Sequence, residues 1–351
     1  MQTSEALLFL SIAFLLLFPL SFAYSHEVYV LSPETIEQAM AQPPLQVFDI
    51  IFKNTGTFFF WMFIALWTVF TVASISVAKP VERLFDPLLQ KLKPYAPLAA
   101  RVTLGSAIIA SGWFGAMFGP ELEFTVFLSP ALIPILQMLL VVLGVLILIG
   151  LFTRVAAVFL ACLYLYMWTH YGTYMLTYTD YFGEALVALI VGNAALALDR
   201  SFHHLYPNML HGLLVWFEKH AFLILRITFG ISLIFASMYA KFLHAELALQ
   251  VAIEYDLTRY FPFDPLFLVL GAFAIELLLG LFIMLGIEVR FASLFLGFFL
   301  TLSLLYFREA VWPHIILFGG AAAIFMHGYD RYTLELKFLR WRDKDAMEPV
   351  F

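Results

Sequence analysis

Residues 266–290 read LFLVLGAFAIELLLGLFIMLGIEVR, long and apolar enough to cross a bilayer, with one carboxylate, Glu276, near the middle. An ionisable group at membrane depth is costly. It faces protein or water rather than lipid, and it marks function by default. Ala272 and Gly280 lie four residues on either side of Glu276, on the same helical face. Small residues admit a neighbouring helix, so Glu276 is expected to point into a packed bundle.

The rest of the chain is of the same kind. Of 351 residues, 63% are hydrophobic, 18% aromatic and only 13% charged, which is too apolar for a soluble domain. The expected fold class is all-α: a polytopic protein whose first partner is the lipid bilayer. The formal net charge is −6, and a nucleic-acid partner is not expected. The single cysteine, Cys162, excludes an intrachain disulfide, a CxxC pair and a cysteine-held zinc or iron–sulfur site. Redox chemistry would need an organic cofactor, a histidine-ligated metal or a partner subunit.

Residues 1–25 read as a signal peptide or signal anchor, and 26–54 as an extracytoplasmic arm with a short helix after Ser32-Pro33-Glu34. Region 55–97 holds an extra span, about 56–77, and an amphipathic cytoplasmic segment, 79–93, expected to lie along the membrane surface. Nine spans are expected, at about 56–77, 99–118, 131–152, 155–169, 181–198, 221–243, 266–290, 291–306 and 313–327, with the first of these outside the repeated part. The boundaries therefore mark one extra span and two sets of four. The loop containing Pro120-Glu121-Leu122-Glu123-Phe124 reads as acidic and external, and a polar linker, 201–222, carries His203, His204, His211 and His220. With residue 26 outside, fifteen of the nineteen Lys and Arg residues fall on the cytoplasmic side or adjoining span ends; Lys53, Lys241, Arg259 and Arg308 do not. That bias puts the tail, 332–351, in the cytoplasm of a cell (inner) membrane protein.

The chain also repeats itself. Arg101-Val102-Thr103-Leu104-Gly105 matches Arg226-Ile227-Thr228-Phe229-Gly230; Gly144, Gly150 and Arg154 match Gly280, Gly286 and Arg290; Asp199-Arg200 is set against Asp330-Arg331. Two parallel four-helix repeats follow, 98–200 and 223–331. The first has Ala116 where the second has Lys241, and Leu140 where the second has Glu276.

The second repeat resembles the DoxX-like membrane family. The likeness rests on R-x-x-x-G opening its first helix, Lys241 at that helix's outer end, E-x-x-x-G-L-x-x-x-L-G-x-x-x-R from Glu276 to Arg290, and the ending Gly328-Tyr329-Asp330-Arg331-Tyr332-Thr333-Leu334-Glu335. The resemblance implies a four-helix membrane domain, found in some members as a subunit of quinone-reducing oxidoreductases, notably of the thiosulfate:quinone type.

Lys241, Glu276 and His314 are unique to the second repeat and form the expected catalytic set, serving a quinone or a proton route. Snorkelling of Lys241 and an interfacial role for His314 are the structural alternatives. Glu184, with Ala188, Gly192 and Ala195 on its face, and Arg226 are candidate cofactor-binding residues. Arg101 and Arg226 read alternatively as membrane-edge anchors touching lipid phosphates. His170, Asp180 and Glu184 form a candidate polar cluster at the outer surface, and a chelating role for His26 is weighed against a solvated arm. No metal site is expected, and no nucleotide loop, Ser/His/Asp set or HExxH motif occurs. Two functions are carried forward. One is a membrane subunit of a quinone-linked oxidoreductase working with a partner redox subunit. The other is a non-enzymatic binding, chaperone or transport protein for a small or lipid-like ligand.

Overall fold

The computed structural model describes residues 30–31, 33–43, 45–192, 196–200, 217–261 and 263–339. The signal-like run, His26, and the linker histidines His203, His204 and His211 lie outside these residues.

Among the described residues the chain is all-helical. The longer helices are α1 (Pro33–Met40), α2 (Val47–Asn54), α3 (Phe58–Leu92), α4 (Ala96–Phe114), α5 (Ile133–Ile149), α6 (Thr153–Tyr171), α7 (Thr179–Val191), α8 (Ala221–Met238), α9 (Ala245–Glu254), α10 (Pro265–Leu285), α11 (Val289–Phe307) and α12 (Ile315–His327). Four stretches are long and apolar enough to cross a membrane: Thr153–Val191, Ala221–Leu243, Pro265–Leu285 and Val289–Phe307. The pair Val47–Asn54 and Phe58–Ser74, bent by 104°, would make a fifth; Ile133–Ile149 and Trp312–His327 are apolar but shorter. The protein is thus membrane-embedded by the length and composition of its helices.

Residues 79–92, expected to lie along the membrane surface, continue the preceding span without a break as α3, 35 residues of helix that run through Pro80 and Pro87; Lys93 opens a 3₁₀ turn. A proline removes one ladder hydrogen bond, but its fixed φ suits a helix, so it bends rather than ends one when the surrounding residues favour helix.

Local chemistry sets the ends of α10, the helix that carries Glu276. Asp264 caps its start, accepting the Leu266 backbone N–H at 2.9 Å, with Pro265 in the first turn. Gly286, at φ 73°, ends it in the left-handed conformation that glycine adopts without strain, as Gly150, at φ 71°, ends α5.

Glycine also sets how closely the helices cross. A Cβ on Gly105 would lie 2.8 Å from the Gly144 carbonyl oxygen, and one on Gly144 2.7 Å from that of Gly105. The crossing of α8 and α10 repeats this: Gly230 meets the Gly280 carbonyl at 2.7 Å, and Gly280 that of Gly230 at 3.0 Å. Backbone meets backbone at both crossings, the geometry that small residues permit in membranes. Two further contacts match. Gly183 of α7 leaves no room beside Thr228 of α8, and Gly319 of α12 none beside Thr103 of α4. The last helix of each half therefore lies against the first helix of the other. The apolar cores follow suit: one joins Leu104, Leu140 and Leu160 to Trp312 and Ile316, the other joins Phe229 and Ile283 to Ala100 and Val187.

The pairing of the two tails differs from the sequence match. The Asp199 backbone N–H bonds the Gly150 carbonyl at 2.9 Å, and Glu335 does the same to Gly286 at 2.9 Å. Asp199 thus corresponds to Glu335, not to Asp330. Its carboxylate accepts the Phe152 and Thr153 N–H groups at 2.8 and 3.1 Å, satisfying donors at the start of α6.

Candidate functional site

At its C-terminal end α8 widens into a π-helical turn, Tyr239–Leu243. Such turns re-aim side chains and recur at functional sites. This one turns Lys241 inward. Lys241 is 8% exposed, and its Nζ lies 3.0 Å from Glu276 Oε2. The snorkelling alternative for Lys241 is therefore excluded. Ser237, one turn earlier, donates to the Phe273 carbonyl at 3.2 Å and ties α8 to α10 just below the ion pair. Opposite charges at this depth offset each other's desolvation, which neither could bear alone.

His314 ends the 3₁₀ turn Trp312–His314 that leads into α12, and it is 3% exposed. Its Nδ1 lies 3.1 Å from the Ala310 carbonyl oxygen and its Nε2 3.3 Å from Glu309 Oε2. Glu309 Oε1 in turn accepts from Ser303 at 3.1 Å. Glu309 was not among the expected residues. It follows Arg308 in a loop, where the sequence carries no sign that the side chain turns inward.

Two cavities meet at these groups. The larger, of about 140 Å³, is lined by Lys241, Glu276, Phe299, Ser303, Glu309 and His314 among others. The smaller, of about 90 Å³, lies between the two halves and adds Glu121, Tyr178, Asp180 and Ser232. Glu276, His314, Phe299 and Leu300 border both. The three residues expected as the catalytic set are thus brought to one place.

The loop that carries Glu121 packs onto the protein rather than standing out in solvent. Residues 115–132 fold back, so that Leu122 and Phe124 are fully buried. The Met117 N–H bonds the Leu122 carbonyl at 2.9 Å, and Tyr181 donates to the Phe118 carbonyl at 3.0 Å. Glu121 Oε1 accepts from Tyr174 at 3.0 Å and from Tyr178. Burial pushes the Glu121 carboxyl up to about 8, against the opposing pull of the Tyr174 hydrogen bond.

The two expected cofactor-binding residues lie elsewhere and border neither cavity. Glu184 is fully buried on α7, 3.4 Å from the Thr103 hydroxyl and facing Gly320 across the contact of the halves. Arg226 is also fully buried, against Gly286, with Nη2 3.7 Å from Asp330 Oδ1. Its counterpart Arg101, 3% exposed, packs against Gly150. Burial rules out contact with lipid phosphates for either. Each guanidinium instead stands at the C-terminal end of a helix, α5 or α10, where a cation complements the helix dipole.

The cluster of His170, Asp180 and Glu184 is not assembled. His170 stays at the surface against the rings of Tyr166 and Phe127, while Asp180 is buried and accepts the Tyr181 N–H at 3.0 Å. His220 lies 3.0 Å from the Tyr332 hydroxyl. Among the described residues, no group of three His, Cys, Asp or Glu side chains is placed to hold a metal ion.

Comparison of the chain with protein families, with curated proteins and with solved structures gave no match.

Proposed function

We propose that this chain is the membrane subunit of a quinone-linked oxidoreductase complex, built as two parallel four-helix DoxX-like repeats after an extra span. Its arm is extracytoplasmic, its tail cytoplasmic, and a partner redox subunit supplies electrons. The observation that carries this reading is the pair of adjoining cavities sharing Glu276 and His314 on their walls.

The chemistry of the lining fits a quinone headgroup. The ring presents two carbonyl acceptors. Lys241 supplies a charged donor on the larger cavity; on the smaller, Tyr178 and Ser232, which donate to Glu121 and to the Thr177 carbonyl, would turn their hydroxyls to the ring in exchange for those partners. Phe299 supplies an apolar wall to both. A cavity of about 140 Å³ suits one six-membered ring, since apolar cavities of roughly 150 Å³ take benzene. When bound, a quinone supplies two-electron, two-proton redox chemistry. The chain's own part is to orient the ring, exclude lipid and hold protons at Glu276 and His314. Purification in mild detergent followed by mass spectrometry of the organic extract tests this. Quinone at about one equivalent, lost in Glu276→Gln, is expected; no quinone in the wild type, or equal quinone in the variant, contradicts it.

A second reading is favoured by the excess of carboxylates. Glu121, Asp180, Glu276 and Glu309 stand against one lysine on the two cavity walls. That balance suits non-enzymatic binding or transport of a small basic ligand. The same extract separates the readings: an amine-bearing compound, without quinone or a redox partner, favours the second.

A further inference from the structure

His314 and Glu309 carry information about a hydrogen that follows from their neighbours. The Ala310 carbonyl oxygen, 3.1 Å from Nδ1, can only accept, so Nδ1 bears a hydrogen. If the imidazole is neutral, Nε2 then presents a lone pair. Glu309 Oε2, 3.3 Å away, presents lone pairs as well if the carboxylate is ionised. The two side chains are only 4% and 7% exposed, and lone pairs facing each other there would repel without solvent to separate them. Ser303 donates to the other carboxylate oxygen, leaving Oε2 turned to the ring.

We infer that Glu309 and His314 hold one proton between Oε2 and Nε2, and that the pair is the proton store of the cavity. With that proton the pair is neutral overall, as the neighbouring Lys241–Glu276 pair is. Releasing it to an acceptor on a bound ligand leaves imidazole and carboxylate with one negative charge, which the Lys241 ammonium on the same wall offsets; taking a proton back restores neutrality. The groups facing the pair are Glu276 from α10 and Lys241 from the π turn. Across the smaller cavity stand Asp180, Tyr178 and Glu121. The pair borders both cavities through His314, so it can serve a ligand in either. The identity of the proton's recipient rests on the quinone reading; the shared proton stands on the geometry alone.

Nitrogen NMR of histidine-labelled protein in detergent tests this, with the His314 resonances assigned by their loss in His314→Gln. The expected wild-type spectrum has Nδ1 protonated and Nε2 protonated or strongly hydrogen-bonded. Glu309→Leu is expected to shift Nε2 to the position of a bare acceptor nitrogen. A bare Nε2 in the wild type overturns the inference without any variant, and so does an Nε2 that Glu309→Leu leaves unchanged. Ubiquinone-1 is then added to the wild type. A shift of the Nε2 resonance supports transfer to a quinone. A shared proton that ubiquinone-1 leaves unmoved counts against the quinone reading of the cavity and leaves the pair's proton established.

Discussion

The crossings of α4 with α5 and of α8 with α10 are the same piece of backbone used twice. Gly105 meets Gly144 as Gly230 meets Gly280, and each second helix ends on a left-handed glycine beside a buried arginine. They differ in what lies further along. The first crossing has Leu140, fully buried, where the second has Glu276, and Ala116 where the second has Lys241. At the next shared position, the first half has Tyr178 holding Glu121, and the second has His314 holding Glu309. An apolar pair is sufficient to build this crossing, so the ion pair of the second half is not demanded by the fold. Buried ion pairs are poor stabilisers compared with apolar replacements of similar size, which strengthens the case that Lys241 and Glu276 are kept for what they bind.

The sharpest way to break the comparison is to make the second crossing like the first, one residue at a time. Glu276→Leu takes away the carboxylate 3.0 Å from the buried Lys241 ammonium and should cost about 3–5 kcal/mol of stability. Adding Lys241→Ala should restore most of that loss, because the two positions then match Leu140 and Ala116. Unfolding in detergent of the single and double variants measures both. If the single variant is as stable as the wild type, Lys241 does not depend on Glu276.

Next in size is the crossing itself. Gly280→Ala puts a methyl group 3.0 Å from the Gly230 carbonyl oxygen and 2.7 Å from Ile234 Cγ1. Overpacking of this kind should cost about 1–3 kcal/mol. Gly144→Ala, 2.7 Å from the Gly105 carbonyl, should cost a similar amount. Thermal unfolding of the two variants side by side would expose any difference between the crossings.

Much of this was legible in the chain because membrane helices announce themselves. Long apolar runs, glycines at helical spacing and the solitary Glu276 mark the second crossing and its carboxylate in the sequence alone. The repeat then showed Leu140 and Ala116 as its apolar counterparts. What stayed hidden lay in loops or depended on contacts between the halves. Glu309 and Glu121 are acids beside turns, and their type alone says solvent; only the fold shows one turned to His314 and the other to Tyr174 and Tyr178. Arg226 looked like an edge anchor, since arginines near span ends usually snorkel, yet Gly286 leaves space for it to lie buried across a helix end. The match of Asp199 with Asp330 failed because similarity of residue type misled; the hydrogen bonds to Gly150 and Gly286 pair Asp199 with Glu335.

A separate effect is expected from acidity. Glu121 holds its proton up to about pH 8 in the folded chain, while an exposed glutamate loses it near 4.5. Between those values the folded state binds more protons than the unfolded one, so stability should fall as pH rises through the window. Glu121→Gln should flatten that part of the profile, as followed by detergent unfolding at a series of pH values. An unchanged slope would place the titration elsewhere. The smallest change is Tyr174→Phe. It removes one hydrogen bond of 3.0 Å to Glu121 while Tyr178 keeps the other, so a loss of about 1 kcal/mol is expected in the same unfolding assay.

The measurement that bears most directly on the account is the quinone content of the double variant Glu276→Leu/Lys241→Ala, purified beside the wild type in mild detergent. Its second crossing carries the residues of the first, so it should fold while losing the headgroup contacts. The account predicts about one quinone per wild-type chain and almost none in the double variant at equal helix content. Quinone retained in full by a folded double variant would contradict it.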